Sequence, residues 1–145
     1  MTEKSHRWIW VSLGGASITF HIWLIFSGLV PSLVSRPLHM ALALPWVFVF
    51  ASHGIFQRRF GLFLTIVGSL FCGFIALNES ALSDQYGFIS GGWQVMVGVG
   101  LILLTLEMAR RTVSWPLPLI TLLFVLYGLF GSHIPGEFGH PGLPF

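Results

Sequence analysis

The chain has 145 residues, of which 54% are hydrophobic and only 8% are charged, and its mean hydropathy is +0.84. So little polar surface cannot solvate a folded globule, which excludes a water-soluble domain and favours a lipid bilayer. The formal net charge of +2 comes from isolated or paired basic residues and does not form a nucleic-acid patch.

Five apolar segments follow one another along the chain, and a helix needs roughly 20 such residues to cross a bilayer. The segments cover residues 8–30, 39–56, 60–78, 92–108 and 115–131. Helices are expected because lipid offers the backbone no hydrogen-bond partners and the segments are too long for barrel strands. The sequence therefore predicts an all-α integral membrane protein, with a single transmembrane domain of about five helices over residues 1–145.

The first segment follows Lys4 and Arg7, as a secretory signal would, but it is too long for a signal core and lacks a convincing cleavage site. We interpret it as an uncleaved first span. It carries Gly14, Ser17 and His21 at helical spacing, and His21 is an ionisable side chain near the predicted bilayer centre. His21 is either a functional group or a neutral imidazole that hydrogen-bonds to a neighbouring helix.

A haem site between the first two spans is a possible alternative, because His21 and His53 lie on adjacent segments. At about 1.5 Å per residue, His21 lies about 20 Å from the cytoplasmic end of its span, and His53 about 5 Å from the same side. Two axial ligands must meet one iron at nearly the same depth. The spacing therefore argues against a haem held by this pair.

The third segment carries a row of small residues on one helix face. Gly61, Thr65, Gly68 and Cys72 follow one another at spacings of four, three and four. Small residues let helices approach closely, and close van der Waals contact is one of the few forces that hold helices together in lipid. We expect a helix-packing face, within the chain or towards another subunit, and a substrate path is the alternative.

Basic residues predict the orientation, because cytoplasmic loops near span ends are enriched in Lys and Arg. Breaks are predicted at Pro31–Pro37, at the basic turn Gln57–Arg59, at a polar loop over residues 79–91 and at the basic turn 110–114. Only Arg36 then lies on one side, whereas the other side has Lys4, Arg7, Arg58, Arg59, Arg110 and Arg111. The predicted location is the bacterial inner membrane, with a cytoplasmic N-terminus and a periplasmic C-terminus.

Motifs that would indicate catalysis are absent from the sequence: it contains no phosphate loop, nucleophile elbow, paired carboxylates or His-Glu-x-x-His. The outer tail offers His133, Glu137 and His140, but their spacing among prolines and glycines defines no ligand geometry. We therefore expect a protein that is not an enzyme, with no catalytic, cofactor-binding or metal-binding residues.

Residues 106–142 contain a longer motif. A Glu-x-x-Arg-Arg turn leads to a Trp-x-Leu-Pro helix, which ends in Leu-Tyr-x-Leu-Phe-Gly and a tail with Pro-Gly and His-x-Gly. This segment resembles the fused permeases of tripartite ATP-independent periplasmic (TRAP) transporters, particularly the TAXI type. The matching residues are Glu107, Arg110, Arg111, Trp115, Leu117, Pro118, Leu126, Tyr127, Leu129, Phe130, Gly131, Pro135, Gly136, His140 and Gly142.

In the fused permeases a long transport region follows this tail, whereas this sequence stops at Phe145. The resemblance therefore implies a separately encoded small permease subunit. It also implies three kinds of partner: a large permease that carries the substrate, a periplasmic substrate-binding protein, and membrane lipids. The implied cargo is an organic acid such as a dicarboxylate, taken up by symport with an ion. The alternatives are the small membrane subunit of a tripartite tricarboxylate transporter and a membrane cytochrome b-like subunit.

Overall fold

The computed structural model describes residues 3–52 and 54–141 of the chain. All regular secondary structure in these ranges is helical. Five of its helical segments are long and apolar enough to cross a membrane. The predicted fold class and number of spans are therefore confirmed. The helices form two compact units, Met1–Phe88 and Ile89–Phe145.

The first unit contains three long helices and one short helix. They are α1 (Glu3–Ser27), α2 (Ser32–Pro45), α3 (Ile55–Leu77) and α4 (Glu79–Ser83), and a π-helical turn (Trp46–Phe50) continues α2. α3 packs most extensively against α2 and the π turn. The side chains of Leu44, Phe48 and Cys72 are fully buried in this core.

The second span begins at Ser32, not at His39 as the sequence suggested. The segment Pro31–Pro37 looks like a turn because it contains two prolines. Pro31 instead precedes the helix, and Pro37 lies in its second turn, where the missing N–H removes one hydrogen bond without ending the helix. As a result, His39 lies well inside α2.

The first and third helices also differ in their bounds from the predicted spans. α1 ends at Ser27, because Gly28 takes a left-handed φ of +57° and its N–H bonds to the Leu24 carbonyl. α3 begins at Ile55, directly after Gly54, so the segment Gln57–Arg59 forms helix and not the predicted tight turn. Charged residues at a helix start can extend their heads into water, so their polarity does not end the helix.

The π turn follows from Pro45, which has no N–H for the α-helical ladder. The Ala51 N–H donates to the Trp46 carbonyl at 3.1 Å, five residues earlier, which widens the helix locally. The Ser52 hydroxyl donates to the Phe48 carbonyl at 2.6 Å. The widened turn presents this part of the backbone to α3.

The first helix is attached to α2 and the π turn by aromatic side chains near one end. The ring of Trp10 lies 5.2 Å from that of Trp46 and 5.0 Å from that of Phe50, measured between centroids. Gly14 lies against the Trp46 indole, since a Cβ there would be 3.6 Å from that ring. Much of the remaining surface of α1 is exposed and apolar, including Ile25 and Phe26.

The second unit contains α5 (Gly92–Val113), α6 (Pro116–Phe130) and a short 3-10 turn (Gly131–His133). The fourth span continues through Arg110 and Arg111 to Val113, where the sequence predicted a basic turn from residue 110. Ser114 ends α5 with a left-handed φ of +84°. Prolines at the start of α6 are tolerated because the first helical N–H groups have no helical partner.

The orientation of the spans remains a prediction, and a reporter enzyme that is active only in the periplasm tests it. Fused after Phe145, the reporter should be active, and fused after Arg111 it should be inactive, because basic pairs are retained in the cytoplasm. The matched pair of fusions controls for expression. Activity after Arg111 together with inactivity after Phe145 would reverse the predicted orientation.

Candidate functional site

Three groups of contacting residues in the described part of the chain contain His21 or residues of the sequence motif. We call these the histidine pair (His21 and His39), the arginine turn (Glu107, Arg110, Arg111 and Trp115) and the tail fold (Tyr127, Gly131 and His140). The histidine pair belongs to the first compact unit, and the other two belong to the second.

The histidine pair joins α1 to α2. His21 Nδ1 lies 2.6 Å from the Ser17 carbonyl oxygen, and His21 Nε2 contacts His39 Nδ1. A carbonyl only accepts hydrogen bonds, so His21 Nδ1 carries the proton, and in a neutral ring Nε2 is then the acceptor. His39 Nδ1–H therefore donates to His21, and the ring centroids are 4.6 Å apart at 82°.

His39 is the partner of His21 that sequence analysis missed. The predicted start of the second span at His39 put this residue at the end of a helix, whereas α2 already begins at Ser32. The signal in the sequence was Pro31, because proline is common at the start of a helix. His53, the other histidine considered for a haem, lies outside the described residues.

A pocket of about 280 Å³ lies beside the histidine pair, between α1 and α2. It is open to the surroundings, and its lining consists of Leu24 from α1 with Ser35, Arg36 and His39 from α2. Ser35 and His39 are one helical turn apart, so they share a face of α2. The pocket thus combines one fixed positive charge with an apolar wall.

The small-residue face of α3 lies largely in the interior of the first unit. Gly61, Gly68 and Cys72 are buried. A Cβ on Gly61 would overlap the carbonyl oxygen of Phe48 in the π turn. Thr65 uses its hydroxyl locally, donating to the Gly61 carbonyl at 2.8 Å. Glycine at position 61 therefore allows α3 to approach the backbone of the π turn.

The arginine turn ends α5 with a carboxylate shared by two guanidinium groups. Arg110 donates to both Glu107 oxygens at 2.7 Å, and Arg111 donates to Oε1 at 2.7 Å. The Glu107 side chain is 25% exposed and that of Arg111 only 18%. Arg110 also lies over the Trp115 ring, 5.4 Å from its centroid, which is cation–π distance. These contacts neutralise the carboxylate and connect α5 to the residue that precedes α6.

The tail fold returns the residues that follow α6 to the end of that helix. The Tyr127 hydroxyl donates to the Phe138 carbonyl at 2.7 Å, and His140 Nε2–H donates to the Tyr127 carbonyl at 3.1 Å. The two rings lie 5.3 Å apart. Gly131 lies against them, since a Cβ there would meet the His140 ring and the Tyr127 ring.

The tail turns at Pro135 and Gly136, and Gly136 has a left-handed φ of +87°, which favours glycine. Its potential metal ligands form no cluster. Among the described residues, no three His, Cys, Asp or Glu side chains lie close enough to hold one ion. His140 lies next to Tyr127 and bonds to its carbonyl. Gly142 lies outside the described residues.

The signature residues of the sequence motif are thus gathered at the two ends of α6. Glu107, Arg110, Arg111 and Trp115 form the arginine turn, and the buried Pro118 lies in the first turn of the helix. Tyr127, Gly131 and His140 form the tail fold, and Gly136 supplies its turn. Comparisons with known protein families, with curated proteins and with solved structures find no match for this chain.

Proposed function

We propose that this protein is the small membrane subunit of a TRAP-type secondary transporter of the TAXI class, which imports organic acids such as dicarboxylates. In this proposal it is a scaffold in the inner membrane for a large permease, and a periplasmic binding protein delivers the substrate. The observation that carries the proposal is the set of contacts among the residues of the motif.

Several residues of the motif contact one another in the second unit. Glu107 bonds to both arginines, and Arg110 contacts Trp115. Tyr127, which lies 12 positions after Trp115 and so about three helical turns further along, contacts His140. Contacts of this kind are expected of a motif whose residues are needed together to shape one helix hairpin.

A scaffold role fits the charges of the described spans better than a carrier role. A carrier of organic acids needs cationic or strongly polar groups near the bilayer midplane. Here Arg110 and Arg111 are at the end of α5 and are already paired with Glu107. In α6 most apolar side chains, including Leu119, Leu123 and Phe124, are exposed and available to lipid or to another subunit.

The tripartite tricarboxylate alternative shares this scaffold role but would not be expected to have the motif at residues 106–142. The cytochrome alternative is disfavoured by the sequence positions of His21 and His53, which differ by roughly 15 Å in depth along their predicted spans. We therefore expect purified protein to show no haem Soret band.

Uptake of a labelled organic acid into proteoliposomes tests the proposed function. The vesicles contain the large permease and the binding protein whose genes we expect beside this one, with or without this subunit. Uptake should fall at least about tenfold without the subunit, since a large permease that lacks its scaffold loses helix contacts in the membrane. Equal uptake without it would contradict the proposal.

The His21→Ala variant is a matched control in the same assay. A scaffold does not bind the substrate, so the apparent KM should change less than about twofold while assembly stays intact. A large increase in KM with the complex still assembled would show that the subunit contributes to substrate binding, contrary to a pure scaffold.

A further inference from the structure

The pocket between α1 and α2 has the features of a site for an anionic group. Arg36 is exposed and lies on its wall. Among the described residues, the ion pairs join Glu107 to Arg110 and Arg111, so Arg36 takes part in none of them. An arginine provides five N–H donors in a planar fork, which matches the oxygens of a phosphate or carboxylate.

The neighbours of Arg36 add to this preference for an anion. Ser35 contributes a hydroxyl to the same lining, and a hydroxyl donates hydrogen bonds to anionic oxygens. The first turn of α2 follows Pro31, which gives no side-chain cap to the helical N–H groups. The N-terminal end of a helix carries partial positive charge, which also favours an anion nearby.

The position of the pocket along the membrane span indicates which kind of anion it meets. Arg36 lies four residues into α2, about 6 Å from the start of the helix. It is therefore close to the end of a membrane span, at the level of lipid headgroups. The remaining lining residue, Leu24, is apolar, and beside it the exposed Ile25, Ile22 and Ile18 form a row along α1 towards the middle of the span.

We propose that this pocket binds the phosphate of a membrane phospholipid, with Arg36 as the cation that contacts the phosphate oxygens. The Ser35 hydroxyl donates to the same phosphate, and an acyl chain lies on the apolar surface of α1 beside Leu24. An open pocket with one apolar wall suits a ligand that has both a phosphate and a hydrocarbon chain. A small free anion would be held by the polar residues alone.

Native mass spectrometry of the delipidated full chain in detergent tests the proposal. The probes are phosphatidylglycerol, diacylglycerol, which lacks the phosphate, and inorganic phosphate. Wild-type protein should retain phosphatidylglycerol and not diacylglycerol. Arg36→Gln should retain about tenfold less phosphatidylglycerol, because hydrogen bonds to a charged group commonly contribute that much to binding.

Arg59→Gln is the matched control, since it removes the same charge from an exposed position at the start of α3. It should leave retention unchanged, whereas an equal loss in both variants would overturn the proposal in favour of non-specific attraction. Binding of inorganic phosphate that depends on Arg36 and displaces the lipid would identify a free-anion site and would also overturn it.

A second measurement does not depend on how the Arg36 variant folds. Phosphatidylglycerol with a photoreactive diazirine near its headgroup, added to wild-type protein, should label the peptide segments that contain Leu24 and Ser35. Labelling confined to other segments would overturn the proposal. Transport activity is not measured in either experiment, so their outcomes are independent of the proposed transporter function.

Discussion

Gly61→Ala should lower the free energy of unfolding by about 3 kcal/mol, at the upper end of the usual cost of overpacking a core. An added Cβ would overlap the carbonyl oxygen of Phe48, which belongs to the backbone of the π turn. That carbonyl already accepts the Ser52 hydroxyl at 2.6 Å. The overlap involves backbone atoms, so no flexible side chain can move away. It can be removed only if α3 and the π turn separate.

The measurement is unfolding of the purified protein in mixed micelles by titration with sodium dodecyl sulfate. Gly73→Ala is the matched control, because Gly73 lies on the same helix with no atom within 4 Å of an added Cβ. This variant should be neutral or more stable by up to about 1 kcal/mol, since alanine has the higher helix propensity. Equal effects at the two positions would show that close approach of α3 to the π turn does not stabilise the fold.

Glu107→Ala should lower the free energy of unfolding by about 2 kcal/mol. This is less than the loss expected when one partner is removed from a fully buried ion pair. The variant leaves Arg110 and Arg111 side by side without the carboxylate that now accepts from both. Arg111 is the less exposed of the two, with 18% of its side chain accessible against 37% for Arg110. Its guanidinium group therefore depends more on Glu107 for compensation.

A double-mutant cycle separates this effect from general damage to α5. The cycle combines Glu107→Ala with Arg111→Gln, and the free energy of unfolding of each variant is measured by the same sodium dodecyl sulfate titration. We expect a coupling energy of about 1 kcal/mol, because removing the arginine also removes the charge that Glu107 compensates. Thr105→Ala is a control on the same helix, since Thr105 is exposed and its hydroxyl bonds only to the Leu101 carbonyl. Additive effects of the two changes would contradict the proposed role of Glu107.

The fold class was predictable because lipid restricts the chain to apolar helices, and hydropathy reports that restriction directly. The small-residue face could be recognised from its helical spacing, but the sequence did not say what lies against it. The partner of Gly61 is the backbone of a π turn, whose position depends on Pro45 within α2. A π turn depends on local packing, and the spacing of apolar residues in the sequence does not predict it.

The helix ends were the least predictable part, and they affected the candidate site. Proline within residues 31–37 indicated a turn, yet α2 runs through Pro37, so His39 was assigned to a span end and its contact with His21 was missed. In contrast, Glu107 and the two arginines were recognised from the motif. Their shared hydrogen bonds depend on α5 continuing to Val113, which the predicted basic turn had excluded.

The way α1 is attached to α2 fixes the register between these two helices. Trp10, Gly14, Ser17, His21 and Leu24 follow one another at alternating spacings of four and three, which is the spacing of a coiled-coil seam. The aromatic contact at Trp10 and the hydrogen bond at His21 are about 16 Å apart along this seam. A slip of α1 by one residue would rotate it by about 100° and break both contacts at once. The helix is therefore held against sliding and rotation by a narrow strip of side chains, and its other faces stay open for contact with lipid or a partner.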